Sequence, residues 1–180
     1  MRRALVASGL VLACSMSACE GVRESSSLPA TGNPAPVFQA ATLEGDTISL
    51  KSLEGNPVLL NLWATWCLPC RRETPYLQDV HQRFGSRGLQ VVGVSVDSRN
   101  GRRDVDAFLQ EFGVTYQILH DPEMRSMDVF AAIGLPATYL IGRDGTVLWR
   151  RIGPVEEGDV EFERALEDAV QGHAAEIGDS

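Results

Sequence analysis

The stretch NLWATWCLPCRRETP, Asn61 to Pro75, sets two cysteines three positions apart directly after an apolar run. Residues 57–64, PVLLNLWA, have strand length and are apolar enough to be buried on both faces. Beyond the cysteines, Tyr76, Leu77, Val80 and Phe84 recur at helical spacing, and Gly85 and Gly88 close the run. Cys67 and Cys70 therefore stand where a buried strand gives way to a helix.

Three uses of such a pair can be weighed. As a staple it closes a very short loop, and loop-entropy stabilisation grows with loop length, so the gain is small. As a metal site it supplies half of a tetrahedral set. His81, His120 and His173 are scattered along the chain, and the position after Cys70, where haem attachment needs histidine, is Arg71. As a reagent the pair has direct physical support. Free N–H groups and the helix dipole at a helix start stabilise a thiolate on Cys67. Positions i and i+3 of a helix lie close enough for a disulfide. The reading is a redox-active Cys67–Cys70 pair, with no metal and no other cofactor.

Upstream, MRRALVASGLVLACSMSAC has two arginines, an apolar segment and then small residues, the pattern of a secretory leader over residues 1–18. As a membrane span it is short against the ~20 apolar residues needed. Met16-Ser17-Ala18-Cys19 resembles the lipobox of bacterial lipoproteins, which implies lipid attachment at Cys19 and a membrane-anchored protein. Residues 19–36, rich in Ser, Pro and Gly, read as a flexible tether. All of this points to work outside the cytoplasm, facing the periplasm or cell exterior, where disulfides persist.

The chain has 180 residues, 44% of them hydrophobic, enough for one domain with a real core, here residues 37–172, followed by a tail at 173–180. Its net charge is −8, and −10 without the leader, which argues against nucleic acid as a partner. Residues 37–50 read as a hairpin around Glu44-Gly45-Asp46. Strands follow at 57–64, 89–97 and 116–119, then a hairpin over 137–153. Helices are predicted over 68–83, 101–112, 122–133 and 159–171. This alternation gives an α/β fold, a mixed central sheet covered by helices on both faces.

The motif WCLPC after an apolar strand resembles the active site of the thioredoxin superfamily, and NLWATWCLPCRRETP resembles its TlpA/ResA-like branch. The resemblance spans about residues 37–171. It implies a thioredoxin-like fold and an extracytoplasmic, membrane-attached thiol–disulfide oxidoreductase, often serving cytochrome c maturation. Cys67 would be the nucleophile and Cys70 the resolving thiol. Trp66, Leu68, Pro69, Leu135 and Pro136 would face the substrate, with Pro136 as the cis-proline of the loop Gly134–Thr138 and Pro75 as the helix-kinking proline. Glu73, one turn after Cys70, would serve it as general base or acid. Asn61 stands where thioredoxin itself carries a buried aspartate. Pro136 follows Cys70 by 66 positions, about one strand–helix unit more than a minimal thioredoxin has. The implied partners are protein thiols and disulfides and a membrane electron donor of the DsbD/CcdA type, and the implied state is a monomer. Two alternatives remain at this stage: a thiol peroxidase, although Ala64 stands where peroxiredoxins use Thr or Ser, and a copper-binding assembly factor using the thiols with His120.

Overall fold

The computed structural model describes residues 29–172. The leader, Cys19, the first part of the tether and the tail from 173 lie outside the described residues. No helix among those described is long and apolar enough to cross a membrane.

Seven strands form one sheet: β1 (Gln39–Thr42), β2 (Thr47–Ser49), β3 (Val58–Trp63), β4 (Gln90–Ser95), β5 (Gln117–His120), β6 (Ala137–Ile141) and β7 (Val147–Ile152). Four α-helices accompany them: α1 (Leu68–Gly85), α2 (Arg102–Phe112), α3 (Arg125–Val129) and α4 (Val160–Gln171). The sheet order is β2-β1-β5-β4-β3-β6-β7. Strands β3, β4 and β5 are parallel; β1, β2, β6 and β7 join as antiparallel neighbours. This is a thioredoxin-like fold with an N-terminal hairpin. The extra strand–helix unit expected before Pro136 is α2 with β5, which separates the hairpin from β4.

All six residues of β3 are buried, as an apolar strand between two neighbours must be. Leu59 and Trp63 face one cluster, with Leu77, Phe84, Phe108, Phe162 and Leu166 from α1, α2 and α4. Leu60 and Leu62 face the other, with Phe38, Phe130 and Tyr139. Coverage is thus uneven. Three helices shield one face, and the other is closed by the short α3 region and a 3-10 turn at Leu50–Leu53.

Two expectations differ in detail. The helix predicted over 122–133 shrinks to Arg125–Val129, because Met124 and Ala131 adopt φ of 57° and 49°, a left-handed backbone that breaks a helix on either side. The buried Asp121 carboxylate instead accepts from Ser126 N at 2.6 Å. The last part of the presumed tether is docked. Gly32 N donates to Val147 O at 2.8 Å, Val147 N to Asn33 O at 2.9 Å, and Ala35 N to Gly145 O at 2.8 Å.

Gly93 in β4 shows how tightly the helix-covered face is packed. A Cβ there would sit 2.8 Å from Ile118 Cδ1 and 2.9 Å from Trp63 Nε1. Replacing glycine by alanine ordinarily gains about 0.4–1 kcal/mol through the unfolded chain. Here overpacking wins, and Gly93→Ala is expected to lose roughly 1–3 kcal/mol. The urea midpoint should fall with an unchanged m-value; an unchanged midpoint would mean the sheet relaxes freely around the methyl group.

Candidate active site

Strand β3 delivers the chain to the turn Ala64-Thr65-Trp66, and Cys67 is the N-cap of α1 with extended backbone, φ −84° and ψ 103°. Its sulfur accepts from Cys70 N at 3.2 Å, one of the amide groups that a helix start leaves without an internal partner. Pro69 in the first turn sacrifices no hydrogen bond there. Cys67 and Cys70 are joined as a disulfide with Cα atoms 5.2 Å apart. Cys67 retains 5% exposure and Cys70 none, while the flanking Trp66 and Leu68 are 65% and 69% exposed. Large apolar side chains held in water on both sides of a sulfur form a surface suited to another polypeptide.

Strand β6 brings the facing loop. Its pairing of Ala137 with Leu62 sets the Leu135–Pro136 segment beside the end of β3. The Leu135–Pro136 peptide bond is cis, Leu135 is half-buried and Pro136 buried. Pro136 O accepts from Gly153 N at 2.8 Å, which ties the loop to the end of β7.

Behind the cysteines lies a polar cluster within the apolar core. Glu73, on the turn of α1 after Cys70, is 2% exposed. Its Oε1 accepts from Asn61 Nδ2 at 2.8 Å and its Oε2 from Val155 N at 2.9 Å. Asn61 Nδ2 also donates to Thr138 Oγ1 at 3.0 Å. Burial raises the Glu73 carboxyl to about 8, with the two hydrogen bonds only partly opposing it. A group with that affinity is mostly protonated at neutral pH yet can lose its proton at modest cost, as a proton carrier requires. One edge of Glu73 lines a cleft of about 520 Å³ between α1 and residues 154–157, rimmed by Arg72, Asp79, Glu156 and Glu157.

This geometry has counterparts in known proteins. Residues 31–150 match the AhpC/TSA family. The chain is 32% identical over 142 residues to the thiol-disulfide oxidoreductase ResA of Oceanobacillus iheyensis, covering 77% of this chain and 73% of that protein. It is 34% identical over 117 residues to ResA of Bacillus subtilis, covering 65% and 64%. The chain belongs to the AhpC/TSA family. Its fold also matches a putative thiol:disulfide interchange protein DsbE from Chlorobium tepidum, with a TM-score of 0.72 and 29% identity over 80% of this chain and 99% of that one. Within the thioredoxin superfamily it is a thiol–disulfide oxidoreductase similar to ResA.

For this family member the sequence singled out both cysteines and Glu73, and the structure brings all three together. Arg71 is turned aside: its guanidinium lies 2.6 Å from Glu111 and over the rings of Phe108 and Phe112 on α2. The sequence reading took Asn61 only as a lost aspartate. It is the bridge that links Glu73 on α1 to Thr138 on β6. A signal for this existed, since a polar residue inside a fully buried strand must find partners. Asp97, which holds the turn before Cys67, gave no such signal.

Proposed function

We propose that this oxidoreductase works outside the cytoplasm as a reductase of protein disulfides, attached to a membrane through lipid on Cys19. The Cys67 thiolate attacks a client disulfide, forming a mixed disulfide and releasing one client thiolate. The Cys70 sulfur then attacks the Cys67 sulfur, which releases the second client thiol and leaves the Cys67–Cys70 disulfide. Two electrons pass to the client, and a membrane donor of the DsbD/CcdA type returns them to the pair. Trp66, Leu68, Pro69, Leu135 and Pro136 contact the client, whose extended backbone pairs with the loop at Leu135. Glu73 takes up and returns the Cys70 proton. Apocytochrome c is one client class that fits, and a monomer suffices for every step.

The observation that carries this reading is the asymmetric pair: one sulfur on a helix start that keeps a sliver of exposure, the other fully sealed one turn before a buried acid. The apolar leader with its two arginines supports the location. The reduction potential of the pair tests the direction. A value near about −270 mV, that of thioredoxin, is expected; one near about −120 mV, that of the oxidant DsbA, would make the protein an oxidase and overturn the proposal.

A further inference from the structure

The turn that presents Cys67 is held from the neighbouring strand by one buried side chain. Asp97, just past the end of β4, is 3% exposed. Its Oδ2 accepts from Thr65 N at 3.0 Å and its Oδ1 from Thr65 Oγ1 at 2.6 Å. Ser95 Oγ donates to Oδ2 at 2.9 Å. The β3–β4 ladder continues to this point, with Val96 N donating to Trp63 O at 3.0 Å. His120 Nε2 lies 2.8 Å from the carbonyl oxygen of Asp97, and so braces the residue from the end of β5. Thr65 is two residues before Cys67, and both hydrogen-bond donors of Thr65 are committed to this carboxylate.

The partner set is informative. Every side-chain contact of Asp97 is made with an amide or a hydroxyl. Those donors are an amide and two hydroxyls, not a cation. The carboxylate is hydrogen-bonded but meets no cation among the described residues, in a site shielded from water where charges act over longer range. The charged groups nearest in sequence to this turn and its partners are Arg71, Arg72 and Glu73 on α1, Arg99 two residues after Asp97, and His120 and Asp121 at the end of β5; α1 also carries Asp79 and Arg83, and α2 carries Arg102, Arg103, Asp104, Asp106 and Glu111. Arg71 is drawn to Glu111, and Asp121 is engaged with α3. Arg99 is paired with Glu123, so no cation is set against the Asp97 carboxylate among the described residues.

We propose that Asp97 is a positioning residue for the redox pair, fixing the Ala64–Trp66 turn and, through its charge, opposing ionisation of the Cys67 sulfur. The helix start favours the thiolate and Asp97 counters it. A pair whose thiolate is less stabilised has a less stable dithiol form, and is more strongly reducing. This supplies a structural reason for the reductase direction, and it rests on Cys67 being the attacking thiol.

The test is alkylation of the reduced protein by iodoacetamide across pH, with each cysteine followed separately by mass spectrometry, together with the thiol–disulfide equilibrium against glutathione. Asp97→Asn keeps an acceptor for Thr65 and removes the charge. Its Cys67 midpoint is expected to fall by about one pH unit, and its glutathione equilibrium to shift up to about tenfold toward the dithiol. Thr65→Val keeps the charge and deletes one hydrogen bond. It should slow exchange with a client disulfide while leaving the Cys67 midpoint at or above that of the parent. An Asp97→Asn midpoint equal to the parent's, or a Thr65→Val midpoint lowered as far as that of Asp97→Asn, would overturn the proposal, because a merely structural clamp would act in that way. If Cys67 in the parent protein reacts no faster than Cys70, it is the assignment of the attacking thiol that fails, and the role of Asp97 falls with it.

Discussion

Reduced Cys70→Ala protein is expected to accumulate covalent adducts with client proteins through Cys67, and Cys67→Ala protein is not. The reason is the burial difference between the two sulfurs. Cys67 keeps some access to solvent between the exposed Trp66 and Leu68, whereas Cys70 has none. An incoming disulfide can therefore meet Cys67 alone. In the intact protein the mixed disulfide is short-lived, because Cys70 lies one helical turn away within bonding distance. Deleting Cys70 leaves the first step possible and blocks the second. Deleting Cys67 blocks the first, and the remaining sulfur stays sealed in the core. Insulin-disulfide reduction should fall to background in both variants, while only one yields adducts on a non-reducing gel that collapse when reductant is added. Equal trapping by both variants would refute the division of roles.

The second large effect concerns Glu73. Its carboxyl is raised from 4.5 to about 8, chiefly by burial. Between those two values the folded protein holds a proton that the unfolded chain has released. Stability must therefore decline as pH rises through that window, and level off above it. The contribution is on the order of 5 kcal/mol across the window. Glu73→Gln removes the titration. It also sets an amide NH2 against one of two donors, Asn61 Nδ2 or Val155 N, at a penalty of about 1–3 kcal/mol. The variant is thus expected to be less stable than the parent near pH 4.5, and to close or reverse that gap by pH 8, as read from urea unfolding of the oxidised proteins. Parallel stability curves would show that Glu73 does not titrate in this range. In the exchange reaction the same variant should slow release of the client from the mixed disulfide on the order of a hundredfold, the usual scale for a lost proton carrier. Formation of that mixed disulfide should be little changed.

Sequence reasoning reached the strand order along the chain and the chemistry, and missed much of what supports the chemistry. The run 57–64 read as a doubly buried strand from its length and apolar composition, with Cys67 at its exit, while the division of roles between the sulfurs came from the family resemblance. The helix over 122–133 was overextended because nothing in the residue types announced the left-handed backbone at Met124 and Ala131. Glu73 could be placed near Cys70 by helical spacing, yet its burial depends on Val155, which is 82 positions away and arrives only when β7 and its following loop fold over α1. Asp97 is similar: its grip on Thr65 crosses from β4 to the turn after β3 and has no local signature. The extent of the tether was misread for the same reason, since residues 32–35 are ordered by a strand more than 100 positions later.

That docking of residues 32–35 decides where the chain enters the domain. They fasten to the start of β7, level with Ile141 at the finish of β6 and Val58 at the opening of β3. The reactive sulfurs lie past the opposite tip of β3, about 20 Å along the strand at some 3.3 Å per residue. The chain therefore enters the domain at the end remote from the redox pair, so whatever is joined to residue 29 stands clear of the approach to the sulfurs.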